Sequence, residues 1–261
     1  MLLALGGVLL VRKSYPVERL KELHEVAGNM LNVLATMYGL LMALIVVDAI
    51  STMQQARLVS EMEANSLADI FRLAGGLPER QRLTVQNQCA RYAKTVIEKE
   101  WPAMARGGSS EEAWKELTKL WSIVKDIEPG TEQQKAFYGQ MLNELSSLGD
   151  NRRSRLIVAH HGIPSLLWAV LIVGAVVTIG NIYFFGVESL KVQVIMTSSV
   201  AIIIALNLFL IAEYGHPFAG NLRVEPDGLR VDLRRISLQL GVKRSVPSER
   251  SNPYVHPAPQ K

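Results

Sequence analysis

The sequence predicts an all-α integral membrane protein. It should have three full transmembrane helices, a short apolar segment at the N-terminus, and a soluble helical bundle inserted between the second and third spans. Three observations carry this. Residues 163–187 and 192–212 contain no charged side chain, and only Glu188 and Lys191 are charged between them. Residues 26–50 form a third apolar run, with Asp48 near its end. The stretch 51–162 is polar throughout and is punctuated by Gly and Pro at helix-like intervals. A helix rising ~1.5 Å per residue needs roughly 20 apolar residues to cross a ~30 Å hydrocarbon core, and each of the three runs is long enough. A helix that is apolar all round has no face to show water.

Residues 2–11, LLALGGVLLV, reach only half that length. Arg12 and Lys13 follow the apolar run, whereas a signal peptide carries its basic residues before it. The segment reads as a span that has lost its beginning, with a short re-entrant or interfacial helix as the alternative. In 14–25, Pro16 suits a first helical turn, and Val17, Leu20 and Leu23 lie three apart. That spacing predicts an amphipathic surface helix or a linker helix.

The span 26–50 carries a stripe. At 100° per residue, Gly28, Asn32, Ala35, Gly39 and Ala43 fall on one side, flanked by Asn29 and Thr36. Small and polar groups gain nothing from lipid. In one reading Gly28, Ala35 and Gly39 let another helix pack closely while Asn side chains bond across the contact. In the other, copies of the helix surround a pore lined by Asn29, Asn32 and Thr36.

The polar stretch 51–162 predicts four helices. The first continues from the span to Gly75-Gly76 and Pro78, with Leu58, Met62, Leu67, Ile70 and Leu73 marking an apolar face. The second covers 79–101 and ends at Trp101-Pro102 and Gly107-Gly108. The third opens at Ser109-Ser110-Glu111-Glu112, where a Ser cap precedes acids at the positive end of the dipole, and stops at Pro129-Gly130. The fourth begins near Thr131 and runs toward Asp150. Beyond Gly162-Ile163-Pro164 the third span carries Thr178 and Asn181, with Tyr183, Phe184 and Phe185 at its interface. The last span carries Thr197, Ser198, Ser199 and Asn207 as candidates for bonds between helices. The expected divisions are 1–50, holding the segment 2–11 and the span 26–50; 51–162, the bundle; 163–212, a transmembrane hairpin; and 213–261, a C-terminal tail disordered beyond about 241.

Basic flanks set the orientation. Arg57, Arg152, Arg153, Arg155, Arg223, Arg230, Arg234 and Arg235 lie on the bundle side, against Arg12, Lys13, Arg19, Lys21 and Lys191 on the other. The larger set predicts a cytoplasmic bundle and C-terminus.

No GxSxG, phosphate-binding loop, HExxH, dinucleotide fingerprint or EF-hand loop occurs. No catalytic residue, cofactor or metal site is expected, and the chain does not read as an enzyme. His160 and His161 are adjacent and point different ways on a helix. Glu61, Glu63 and Asp69, with Arg57 and Arg72 near, read as a solvated, salt-bridged face. Cys89 is the only cysteine, which excludes an intrachain disulfide. No basic stripe with interleaved aromatics points to nucleic acid.

Several stretches together resemble the bacterial bestrophin-like domain family: HEVAG at 24–28, EMEANSLADIFRLAGGLP at 61–78, YAKTVIEKEWPAM at 92–104, PSLLWAVLIVGAVVTIGNIYFFG at 164–186 and HPFAGNLRVEP at 216–226. The family is similar to bestrophins, oligomeric anion channels with four spans and a large cytoplasmic helical part. The resemblance implies a multi-pass protein of the bacterial inner membrane, a homo-oligomer (a pentamer if bestrophin-like), small anions as the permeant species, and a longer apolar N-terminus in relatives. No dense acidic cluster follows the last span, so the calcium clasp of animal bestrophins is not implied. Two functions stay open: an anion channel with 26–50 lining the pore, and a non-conducting membrane scaffold or signalling protein whose bundle binds a partner.

Overall fold

A computed structural model describes residues 6–7, 24–160, 162–184, 187 and 189–241. The expectations for the crossing of 2–11, the surface helix at 14–25 and the disorder beyond 241 lie outside the described residues, apart from Gly6, Gly7, His24 and Glu25. All regular elements among the described residues are helical.

Helix α1 runs unbroken from His24 to Leu73. The sequence between Asn29 and Leu73 has Gly39 as its only glycine and no proline, so nothing interrupts the backbone ladder. A 3-10 turn at Ala74–Gly76 ends it, with Leu77 N donating to Ala74 O at 3.0 Å. Pro78 then precedes α2, Glu79–Thr95, and its carbonyl accepts from Arg82 N.

The helix expected to end at Trp101-Pro102 continues through a π-helical turn, Val96–Glu100, into α3, Trp101–Met104. The wider turn relaxes the crowding that a proline ring imposes on the carbonyl one turn before it. The stop is the expected Gly107-Gly108, in a Schellman arrangement. Gly107 sits at φ +76°, its N–H donates to Met104 O, and Gly108 N donates to Ala103 O, both at 2.9 Å.

Helix α4, Glu111–Lys125, starts where the sequence predicts. The Ser110 hydroxyl accepts from Ala113 N at 3.3 Å, with Glu111 and Glu112 in the first turn. Helix α5, Glu132–His160, is capped by Thr131, whose hydroxyl accepts from Gln134 N. It runs ten residues past the expected Asp150, because no breaker stands before Gly162. Helices α6, Ser165–Ile182, and α7, Leu190–Tyr214, form the hairpin. The stretch expected as tail contains α8, Asp227–Gln239. Its signal was Pro226-Asp227 ahead of Leu229, Leu233, Ile236 and Leu240, an apolar line at helical spacing.

Among the described residues, three helices are long and apolar enough to cross a membrane. The chain divides into two compact units. The first holds residues up to Ser60, 103–109 and 151–225. Its core is Tyr38, Met42 and Ile45 of α1 against Leu171 and Ala175 of α6 and Ile204 and Ile211 of α7. The second unit holds 61–102, 110–150 and the residues from Pro226 on. In it α2 packs on α4 and on α8, burying Cys89, Tyr92, Leu117, Leu120, Leu229 and Ile236. Two glycines permit close approach there. A Cβ at Gly228 would stand 2.9 Å from the Ala64 methyl, and one at Gly76 would stand 2.5 Å from the Phe137 ring.

Candidate functional site

The membrane-compatible half of α1 has a closed side and an open side. Tyr38, Met42, Ile45 and Ala49 are buried at spacings of four, three and four, the rhythm of one helical face. Tyr38 fixes that face: its hydroxyl donates to Leu171 O at 2.8 Å, satisfying a polar group in an apolar core. Its ring lies where a Cβ on Gly174 would stand, 2.5 Å away. Gly174 of α6 is thus the small residue that admits α1.

That role was expected of α1 itself. Ala35 and Gly39 are exposed and Gly28 is half-buried. A Cβ on Gly39 would meet nothing within 4 Å among the described residues. Asn29, Asn32 and Thr36 are exposed on the same arc, at the i, i+3, i+7 spacing of one face. Thr36 turns its hydroxyl back to Asn32 O at 2.7 Å. The structure therefore brings the pore-lining and helix-packing candidates together on one arc and covers that arc with no described part of the chain.

The arc continues past the apolar run. Ala43 is followed by Val47, 64% exposed, and Ile50, 36% exposed, then by exposed Gln54 and Arg57. Beside it stands a ridge of large side chains, Met30, Val33, Met37, Leu40 and Leu44, all more than half exposed. The ridge suits lipid or a neighbouring apolar helix, whereas the arc suits neither water-free lipid nor a bare surface.

The polar residues of the hairpin behave differently from expectation. Thr197 donates to Gln193 O, Ser199 to Ile195 O and Asn207 to Ile203 O, each at 2.9 Å, and Asn181 donates to Val177 O at 3.1 Å. Each bonds one turn back on its own helix. A bond between the two helices' ends comes from Gln193, buried and donating to Tyr183 O at 3.2 Å.

Among the charged groups of α1, the expected solvated face is only partly found. Asp69 and Arg72 pair at 3.1 Å on the surface, and Glu61 is exposed. Glu63 is fully buried, with its carboxyl accepting from Tyr92 OH at 2.7 Å. Its signal was its register: Glu63 lies four residues before Leu67 and seven before Ile70, on the buried line of the helix. Cys89 is buried, and desolvation holds its thiol well above the usual range, so it is inert as a nucleophile. Among the described residues no group of three or more His, Cys, Asp or Glu side chains could hold a metal ion.

The family model for the bestrophin-like domain matches residues 1–229. This chain belongs to the bestrophin-like family. Among solved structures, a bacterial bestrophin homologue from Klebsiella pneumoniae, phased on zinc, matches at TM-score 0.71 and 14% identity, covering 92% of this chain and 97% of that one. A point variant of that homologue matches at TM-score 0.72 and 12% identity, with the same coverage. A structure described as a membrane protein matches at TM-score 0.72 and 13% identity. At these identities the likeness establishes the bestrophin fold over nearly the whole chain. No curated protein sequence matches.

Proposed function

We propose that this bestrophin-like protein is an oligomeric channel for small anions, with copies of α1 lining the pore. One observation carries the reading. Asn29, Asn32 and Thr36 sit on an uncovered arc of a span whose opposite side is locked to its own hairpin by Tyr38 and Gly174. Burying an amide without a partner costs roughly 2–7 kcal/mol. A polar arc at membrane depth therefore needs water or another copy in front of it. A closed ring of copies supplies both, and the ring is a pentamer if it follows the bestrophins. The partners of the chain are then the bilayer, its own copies and small anions, and no catalytic group is required.

The bundle and C-terminus face the cytoplasm of a bacterial inner membrane in this reading, supported by the excess of arginine on that side. The test is ion flux through purified protein in liposomes, comparing wild type with Asn32→Leu and Thr36→Leu. Chloride flux should appear in the wild type and fall in both variants. Asn32→Leu should fall further, because the Thr36 hydroxyl is already satisfied on its own helix. A well-folded oligomer that passes no ion under several gradients would overturn the channel reading.

A further inference from the structure

Arg57 stands out when the charges of α1 are followed one at a time. Between Asn29 and Leu73 the helix carries Asp48, Arg57, Glu61, Glu63, Asp69 and Arg72. Glu63 is buried against Tyr92, and Asp69 and Arg72 are paired with each other. Asp48 lies nine residues before Arg57, about 180° around the helix, so it faces away from the arc. Asn32, Gly39 and Ile50 precede Arg57 by 25, 18 and 7 residues, which places all three within about 20° of it. Arg57 is thus the cation on the line that begins with the polar pore candidates and passes Val47 and Ile50. It is exposed and forms no ion pair among the described residues. Helical side chains leave the backbone leaning toward the helix N-terminus, so the Arg57 side chain sets out toward Gln54.

We infer that Arg57 sets the anion preference of the pore. This rests on the reading that α1 lines it. A ring of guanidinium groups just past the large apolar side chains raises the local concentration of anions and repels cations. Glu61, exposed one turn further on, opposes the ring.

The experiment is the reversal potential of purified channels in a potassium chloride gradient. The wild type should reverse near the chloride equilibrium potential. Arg57→Gln should lower the chloride-to-potassium permeability ratio by about fivefold or more, Arg57→Lys should keep it, and Glu61→Gln should raise it. Arg57→Cys allows a second measurement. The native Cys89 is buried and unreactive, so a methanethiosulfonate carrying a quaternary ammonium should restore the ratio, and one carrying a sulfonate should lower it further. Conducting Arg57→Gln and Arg57→Cys channels with unaltered ratios would overturn this inference and leave the channel reading standing. No conduction by wild type or any variant would overturn both.

Discussion

The two units of this protein solve burial differently. In the second, α2, α4 and α8 close over one another, and even a carboxyl at zero exposure, Glu63, has a tyrosine hydroxyl to bond. In the first, α1 buries one face against α6 and α7 and leaves two arcs that no other described residue covers, one of large apolar side chains and one of small and polar ones. In the first unit the polar arc faces no other described residue, and the proposed ring of copies is what would cover it.

A pair of glycines should show the largest difference between the two kinds of face. Gly174→Ala puts a methyl into the Tyr38 ring, which cannot swing aside without losing its bond to Leu171 O. The cost should be about 1–3 kcal/mol, read as a lower unfolding midpoint in detergent. Gly39→Ala meets no described residue within 4 Å and should leave that midpoint level or raise it by about 0.5–1 kcal/mol, the usual gain of alanine over glycine in a helix. If Gly39 packs against a second copy, the same substitution shifts the oligomer population on a sizing column. Equal losses from both substitutions would erase the distinction between closed and open faces.

The second unit offers a smaller test. Tyr92→Phe removes the hydroxyl bonded to Glu63 and leaves a buried carboxyl short of a donor, which should cost about 1–3 kcal/mol. The melt should stay a single transition in that unit, since the packing of the ring is kept.

The smallest effect concerns Asp232 on α8. Burial pushes its carboxyl above the ordinary range, partly offset by the guanidinium groups of Arg235 and Arg72. An acid whose folded-state pKa is raised takes up its proton in the folded state first. Its contribution to stability is therefore present at low pH and lost as pH rises through the folded value. Asp232→Asn should be as stable as wild type or slightly more so near neutral pH. The difference should shrink in mildly acid buffer, measured as the pH dependence of the unfolding midpoint.

Much of the architecture is legible in the residues, for identifiable reasons. Uncharged runs of span length, the Ser110 cap with its acids and the Gly75-Gly76 break act locally, so the chain states them outright. The arc of Asn29, Asn32 and Thr36 is legible for the same reason, since helical spacing alone gathers it. What escaped depends on neighbours far away in the chain. Tyr38 and Gly174 are 136 positions apart, and neither is unusual until they meet. Glu63 looks solvated beside Glu61 until Tyr92 arrives from α2. Helix α8 escaped because its apolar line is short and interrupted by arginines. Pro102 misled because a proline commonly closes a helix, and the π-helical turn before it takes up the strain.

The one-turn-back bonds of the hairpin bear on how the protein is made. Asn181, Thr197, Ser199 and Asn207 all satisfy themselves within their own helices, and Gln193 ties the two helices together at the turn. The hairpin can therefore enter lipid as a finished piece during synthesis, with no other helix waiting for it. Helix α1 precedes the hairpin in the chain, yet in the proposed ring it is finished after it, because Asn29 and Asn32 meet partners only when other copies arrive. A lone copy would then display an unfinished surface, which assembly of that ring would remove from view.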